Sequence, residues 1–230
     1  MKIEAIQKLT LLDFPQKMAC TIFTHGCNFR CPFCHNAGLV TEAQQAEITE
    51  EEVLKFLKSR QGILEGVCIT GGEPLLQEGI EDFIRAIKDM GFLIKLDTNG
   101  SFPDKLKSLC KKGLIDYIAM DIKNSKQKYA ATVGKKLFDL SAVAESVDFL
   151  KKGIVPYEFR TTVTKDFHTL DDLLSIAKWL SGCDAYFLQQ FVDSGNLIDG
   201  TITGYTDEEL KAMYSEVKRH LPCTQLRGVK

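Results

Sequence analysis

Three cysteines stand close together near the start of the chain, at Cys27, Cys31 and Cys34. Three residues separate the first two, and two residues separate the last two. A structural zinc site is closed by four protein ligands, whereas an iron–sulfur cubane held by only three cysteines leaves one iron without a protein ligand. A small molecule can bind and react at that open iron. The spacing therefore predicts a reactive iron–sulfur centre.

Two different interpretations of these cysteines remain open from the residues alone. A zinc knuckle could use the same thiolates together with His25 or His35, although these histidines lie closer than the usual distant ligand pair. A disulfide would need an oxidising compartment, and nothing else in the chain is typical of a secreted protein. Both interpretations explain the spacing less well than an iron–sulfur cluster does.

An aromatic residue, Phe33, directly precedes the last cysteine. In spacing and in this aromatic position the motif resembles that of the radical S-adenosylmethionine (SAM) superfamily. The resemblance implies that Cys27, Cys31 and Cys34 hold a 4Fe–4S cluster and that SAM is the second cofactor. It also implies an α/β fold, the open (β/α)6 barrel of that superfamily.

Apolar runs typical of buried strands alternate with segments of helical periodicity along the chain. Thr49 with Glu52 and Thr206 with Glu209 form capping boxes that predict two helix starts. Thr169 predicts a further helix N-cap, and Pro103 suits a first helical position. The predicted strands are Cys20–Thr24, Val67–Thr70, Leu93–Asp97, Tyr117–Asp121, Tyr157–Val163 and Ala185–Gln190.

Strands that alternate with helices indicate parallel βα units. Six units are too few for a closed eight-stranded barrel, so an open partial (β/α)6 TIM-like barrel or a doubly wound sheet fits the pattern. The resemblance favours the barrel. We predict one domain over residues 1–230. Its expected parts are an extension at 1–18 that adds a strand or covers one end, a core at 19–190, and a loop and helix at 191–230.

Polar and glycine residues follow the predicted strands at the ends where parallel βα folds collect their active sites. The cysteine loop follows the first of these strands, and a Gly-Gly-Glu-Pro stretch follows the second. Because all of these ends meet at one mouth, we expect the residues to form a single site. The candidate cofactor-binding residues are Phe33, His35, Asn36, Gly71, Gly72, Glu73, Asp97, Asn99, Lys123, Arg160 and Gln189.

Two of these motifs could also be purely structural. The Gly-Gly-Glu-Pro stretch could form a strand-to-helix turn, and His35-Asn36 could form a turn and a helix cap. The Gly71-Gly72-Glu73 stretch, however, resembles the one with which the superfamily binds the amino group of SAM. The resemblance implies that Glu73 and nearby backbone groups hold this ammonium. It also implies that Phe33, His35 and Asn36 lie near the adenine.

Asp97-Thr98-Asn99-Gly100, together with Asp121-Ile122-Lys123, resembles one branch, the activating enzymes of glycyl radical enzymes. The resemblance implies that Asp97 and Lys123 lie near the SAM ribose, the substrate backbone or a bound monovalent cation. It assigns Arg160 to the SAM carboxylate, since a guanidinium suits a planar anion, and Gln189 to the adenosine. An ion pair of Arg160 with Glu158 or a rim aspartate is the alternative.

Within this branch the short chain is most similar to the anaerobic ribonucleoside-triphosphate reductase activating proteins. The resemblance implies a glycyl radical enzyme as the protein substrate and a flavodoxin- or ferredoxin-like electron donor. A pyruvate formate-lyase-type activase is an alternative, although its pattern has a histidine where this chain has Gln189, Gln190 and Phe191. The sequence also leaves open a small-molecule enzyme such as 7-carboxy-7-deazaguanine synthase, and a non-enzymatic metal-binding module.

Composition limits the partners of this chain of 230 residues. A formal net charge of −2 gives no electrostatic reason to expect nucleic acid or an anionic membrane as a partner. No apolar run approaches the ~20 residues that span a bilayer, and the first residues do not resemble a signal peptide, so we expect a cytoplasmic protein.

The remaining cysteines are scattered and suggest no second cluster: Cys20, Cys68, Cys110, Cys183 and Cys223.

Overall fold

The computed structural model describes residues 1–44 and 48–229, and these residues form one sheet of eight strands. Neighbours in the chain are neighbours in the sheet, and only β1 runs antiparallel to its partner. The strands are β1 Ile3–Thr10, β2 Ala19–Thr24, β3 Gly66–Gly71, β4 Leu93–Thr98, β5 Tyr117–Asp121, β6 Tyr157–Val163, β7 Tyr186–Gln190 and β8 Thr224–Arg227.

The helices follow the start signals in the sequence. Both capping boxes are present, at Thr49 with Glu52 and at Thr206 with Glu209, and Asp172 completes a third box with Thr169. In the described part of the chain, no helix is long and apolar enough to cross a membrane. The helices are α1 Ala37–Thr41, α2 Glu50–Lys58, α3 Ile80–Asp89, α4 Pro103–Lys111, α5 Tyr129–Thr132, α6 Ser141–Leu150, α7 Leu170–Trp179 and α8 Asp207–His220, with a 3-10 turn at Pro74–Leu76.

The six predicted strands are confirmed as β2 to β7, and their ends lie within one residue of the predicted bounds. They form the parallel core of an open, barrel-like sheet whose edge strands are β1 and β8. The core strands are apolar because both of their faces are covered. Side chains such as Ile22, Ile69 and Phe159 are fully buried between the sheet and the helices.

The N-terminal extension both adds a strand and covers one end of the barrel. Strand β1 pairs with β2, and the chain then returns beneath the amino ends of the strands. There Phe14 is 4% exposed, and its ring centroid lies 6.2 Å from that of Tyr117. A Cβ added to Gly66 would lie 2.8 Å from the Phe14 ring, so glycine is needed for this close packing.

The C-terminal segment contains more than the predicted loop and helix. After α8, strand β8 pairs in parallel with β7, with Thr224 opposite Tyr186 and Arg227 opposite Gln189. A strand of four residues carries too short an alternating pattern to be recognised from sequence. It extends the parallel part of the sheet by one strand beyond the predicted six.

Candidate functional site

A cavity of about 220 Å³ opens at the carboxyl ends of the parallel strands. The expected convergence of the strand ends is confirmed, because residues from the cysteine loop and from β3 to β7 line this one cavity. All of the predicted site residues except Glu73 contribute to its wall: Cys27, Cys31, Phe33, Cys34, His35, Asn36, Gly71, Gly72, Asp97, Asn99, Lys123, Arg160 and Gln189.

Backbone hydrogen bonds hold the cysteine loop at the mouth. The Gly26 N–H donates to Leu39 O at 2.8 Å, and the Arg30 N–H donates to Val133 O at 3.0 Å. The Cys27 sulfur accepts the Phe29 N–H at 3.4 Å. Anchors before and after Cys27 therefore fix the direction in which the loop presents its thiols.

The three thiols fit an iron–sulfur cluster in their chemistry. All three are free and line the same cavity, and cluster irons take cysteine thiolates as ligands. Burial raises the pKa of Cys27 to about 11 and that of Cys31 to about 12. Iron must therefore displace thiol protons when it binds. The Asn99 amide, 3.8 Å from the Cys27 sulfur, can donate a hydrogen bond to a ligand sulfur.

The glycine pair packs directly against the cysteine loop. The Gly72 N–H donates to Thr24 O, and the Glu73 N–H donates to Gly26 O, each at 2.9 Å. A Cβ on Gly72 would lie 2.0 Å from Gly26 O, and one on Gly71, whose φ is +117°, would lie 2.3 Å from backbone atoms of Thr24. Both positions therefore require glycine to bring the two loops together.

Glu73 lies behind the cavity wall and is fully buried. Its carboxylate accepts hydrogen bonds from the Asn99 N–H at 2.7 Å, the Thr98 hydroxyl at 2.8 Å and the Leu75 N–H at 3.0 Å. Burial raises its pKa to about 7, and the three donors act in the opposite direction. In this structure Glu73 joins the loop after β3 to the loop after β4.

Replacing Glu73 with glutamine should loosen this junction. One end of the amide would place an N–H group opposite another donor, and an unsatisfied buried donor costs about 1–3 kcal/mol of stability. We expect a lower free energy of unfolding in denaturant titrations and weaker SAM binding, with unchanged iron content. The exposed Glu78 provides the control, Glu78→Gln. Equal stability and equal SAM affinity in Glu73→Gln and wild type would refute the role of this carboxylate.

Charged side chains form a continuous network at the carboxyl ends of β4, β5 and β6. Arg160 donates from Nη1 to Asp97 at 3.2 Å and from Nε to Asp121 at 2.9 Å. Lys123 donates to the other oxygen of Asp121 at 2.9 Å, and Lys95 contacts the other oxygen of Asp97. The ion-pair alternative for Arg160 is thus observed, with Asp97 and Asp121 as partners.

Glu158, the other partner considered for Arg160, pairs with Arg227 at 2.9 Å instead. Burial alone would raise the pKa of the Asp97 and Asp121 carboxyls, but the charge of Arg160 and the adjacent lysine lowers both. The two carboxylates therefore stay ionised at neutral pH. Arg160 uses Nε and Nη1 in these contacts, and its five N–H donors leave Nη2 for a ligand.

Aromatic rings line the other side of the site. His35 stacks on Phe191 at 5.4 Å between ring centroids, and Phe33 lies 5.8 Å from Phe167. Burial lowers the pKa of His35, so its ring is neutral at neutral pH. Asn36 donates from Nδ2 to Gly71 O at 3.4 Å. Flat apolar and amide surfaces of this kind suit a purine base.

Sequence reasoning gave no role to two residues that shape the site. Asp121 was recognised as part of the Asp121-Ile122-Lys123 motif at a strand end but was not counted among the binding residues, and it lines the cavity and holds both Arg160 and Lys123. His168 is buried, and its Nε2 lies 2.8 Å from Lys123 O while its Nδ1 accepts the Thr164 N–H. Nothing in the sequence marks this histidine, because it acts through a contact 45 residues away.

The other cysteines lie outside this cavity. Cys183 and Cys223, distant in sequence, bring their sulfurs to 3.4 Å, just before β7 and β8. We expect Cys223→Ser to retain the iron and sulfide content of the wild type after anaerobic reconstitution, because this residue lies at the amino end of its strand, opposite to the cysteine loop. A loss of iron in that variant would show that a second metal site exists.

The radical SAM superfamily model matches residues 21–180 of this chain. MJ1227 of Methanocaldococcus jannaschii, provisionally assigned as a glycyl-radical enzyme activating enzyme, is 34% identical over 82% of this chain and 79% of its own length. The pyruvate formate-lyase-activating enzyme of Clostridium pasteurianum is 28% identical over 96% of this chain and 94% of its own length.

Among solved structures, SuiB of Streptococcus suis bound to S-adenosylmethionine superimposes with a TM-score of 0.70 over 88% of this chain at 13% identity. The overlap covers 48% of the SuiB chain, so the present chain matches about half of that protein. At this identity the likeness concerns the fold. The family match includes the three-cysteine loop and the strands that carry the cavity. The chain is therefore an enzyme that belongs to the radical SAM superfamily, whose cofactors are a 4Fe–4S cluster and S-adenosylmethionine.

Proposed function

We propose that this chain is a glycyl radical enzyme activating enzyme whose partner is anaerobic ribonucleoside-triphosphate reductase. In this role it cleaves SAM reductively and removes a hydrogen atom from the Cα of one glycine in the partner. The observation that carries the proposal is the single cavity shared by the three cysteines and by both branch motifs, Asp97-Thr98-Asn99-Gly100 and Asp121-Ile122-Lys123. Sequence similarity to MJ1227 and to a pyruvate formate-lyase-activating enzyme supports the activating-enzyme part of this proposal.

Cys27, Cys31 and Cys34 would hold the cluster. When both cofactors are bound, cluster and SAM supply a 5′-deoxyadenosyl radical that abstracts the hydrogen atom. The chain itself binds and orients the two cofactors and shields them from water. Asn99 would donate its amide to a ligand sulfur, and hydrogen bonds to sulfur are among the factors that set a cluster's potential.

The polar ends of the strands would bind SAM by its separate groups. Backbone groups of Gly71 and Gly72 face the cavity and would meet the ammonium, while Glu73 orders this loop from behind. The free Nη2 of Arg160 would meet the SAM carboxylate. His35 and Gln189 would contact the adenosine.

The choice of partner rests on two features. The chain has Gln189, Gln190 and Phe191 at the carboxyl end of its last predicted strand, where the pyruvate formate-lyase activases have a histidine, and Phe191 stacks on His35. Only 14 residues separate Cys34 from Thr49, which leaves no room for the extra ferredoxin-like domain of larger activases. This second feature sets the chain apart from those larger enzymes, but the pyruvate formate-lyase activases share it, so the first feature alone decides between the two partners. We propose a cytoplasmic flavodoxin- or ferredoxin-like protein as the electron donor.

The choice of partner can be tested by electron paramagnetic resonance. The holoenzyme, SAM and a strong reductant would be mixed anaerobically with the ribonucleotide reductase or the pyruvate formate-lyase of the same organism. We expect a glycyl radical doublet on the reductase and none on the lyase. A doublet only on the lyase would refute the proposed partner, and 5′-deoxyadenosine without a doublet on either would point to a small-molecule substrate.

A further inference from the structure

The chain itself supplies positive charge at the position that the family resemblance assigns to a monovalent cation. All four oxygens of Asp97 and Asp121 have cationic partners within the protein: Lys95 and Arg160 on Asp97, Arg160 and Lys123 on Asp121. We propose that the Lys95 ammonium is the permanent cation of Asp97, so that SAM binding in this enzyme needs no added monovalent cation. The inference rests on the proposed role of this network in SAM binding.

The Lys95 ammonium has Asp97 as its ion-pair partner and little access to water. Its side chain is 3% exposed, and a charge removed from water must be compensated by a partner of opposite sign. The ammonium contacts Asp97 Oδ1 and lies 3.8 Å from the Cys68 sulfur. Because residues two apart in a strand point to the same side, strand β4 itself holds Lys95 beneath Asp97.

The charge balance of the network disfavours another cation. Three cationic side chains, Lys95, Lys123 and Arg160, face the two carboxylates of Asp97 and Asp121. Within this network the cations therefore outnumber the carboxylates by one. Glu158 is paired with Arg227 at 2.9 Å, and the Asp13 carboxylate, which lies below Lys95 toward the amino ends of the strands, accepts the Thr21 hydroxyl. This excess suits an anionic group of the ligand, such as a carboxylate. A further cation would increase it.

Lys95 is a positioning residue, because it reaches Asp97 from the far side of the site. It lines a separate, smaller cavity of about 180 Å³ toward the amino ends of the strands and does not line the SAM cavity. Asp97, Arg160 and Gln189 lie in the walls of both cavities. Removing the ammonium would leave Asp97 with Arg160 as its remaining ion-pair partner, on Oδ2, and would leave Oδ1 without its cation.

The first test compares salts on the wild-type holoenzyme. SAM dissociation constants and 5′-deoxyadenosine formation would be measured anaerobically in choline, sodium and potassium chloride at equal ionic strength, because choline is too bulky for a buried ion site. We expect both quantities to agree within about 2-fold across the three salts, since the bound ammonium already supplies the charge. A loss of about 10-fold or more in choline would overturn the proposal.

The second test removes the charge with Lys95→Met, which keeps most of the side-chain volume. In choline we expect SAM binding to weaken at least ~10-fold, as for other buried charges that lose their partner. Sodium or potassium should restore it, and Lys95→Arg should need no salt. Lys88→Met, which removes a partly exposed lysine paired with Asp116 outside the site, is the matched control.

Sodium-23 NMR relaxation on the cluster-free protein gives a readout that does not depend on activity. Excess relaxation should appear in Lys95→Met and be absent from wild type and Lys88→Met. A Lys95→Met protein that binds SAM weakly in every salt would overturn the proposal, because the ammonium would then be merely structural. If this variant fails to fold, the wild-type salt comparison decides alone. Absence of SAM cleavage by wild type in all three salts would instead refute the proposed function.

Discussion

Replacing Cys31 with alanine is expected to abolish reductive cleavage of SAM. Cys31 is 6% exposed and lines the cavity with Cys27 and Cys34. Two thiolates cannot hold a cluster that needs three. Mutation of a ligand's hydrogen-bond partner lowers metal affinity by ~10- to 100-fold, and removal of the ligand itself should lower it further. We expect little iron after anaerobic reconstitution, no absorbance from a cluster and no 5′-deoxyadenosine above background.

The matched control is Cys110→Ala, which removes a buried thiol on α4 outside the cavity. This variant should reconstitute with the iron content and SAM cleavage of the wild type. Its comparison with Cys31→Ala separates the loss of a ligand from the general cost of a small cavity in the core. Full activity of Cys31→Ala would contradict the ligand assignment.

A second large effect is expected from a single methyl group at Gly72. The Cβ of Gly72→Ala would lie 2.0 Å from Gly26 O and 2.5 Å from Gly26 C, both backbone atoms. Neither atom can move without shifting the loop that carries Cys27. Because misplacement by about 1 Å can cost ~100-fold in rate, we expect SAM cleavage to fall by about that factor, with weaker SAM binding measured by titration.

Gly200→Ala provides the control for this substitution. A Cβ there meets nothing within 4 Å, and its backbone does not have the positive φ that disfavours alanine. We expect wild-type SAM binding and cleavage from this variant. If Gly72→Ala matched Gly200→Ala in both measurements, the two loops would not need the close approach that the structure assigns to them.

Sequence alone predicted the parts of this molecule that have local signals. The capping boxes at Thr49 and Thr206 are confirmed because a side chain three residues from the N-cap closes each one. The expected convergence of the strand ends is also confirmed, because parallel strands that follow one another in a sheet must end at the same edge. The cavity that contains Cys27, Gly71, Asp97 and Arg160 follows from that rule.

What sequence did not predict depends on which side chains meet across strands. Glu73 belongs to a recognisable motif, yet its carboxylate turns away from the cavity toward Thr98 and Asn99, since three donors await it there. The pairing of Lys95 with Asp97 had a weak signal, a lysine two residues before an aspartate inside an apolar strand. Its consequence for the site became visible only once Arg160 and Asp121 completed the network.

Transfer of hydrogen from glycine to the deoxyadenosyl group is the most direct test of the central claim. The anaerobic ribonucleotide reductase of the same organism would be prepared with glycine deuterated at Cα and treated with holoenzyme, SAM and reductant. Mass spectrometry would then measure deuterium in the 5′-deoxyadenosine formed. We predict one deuterium per molecule, together with a glycyl radical signal on the reductase. 5′-Deoxyadenosine that carries no deuterium while the reductase stays radical-free would contradict the account.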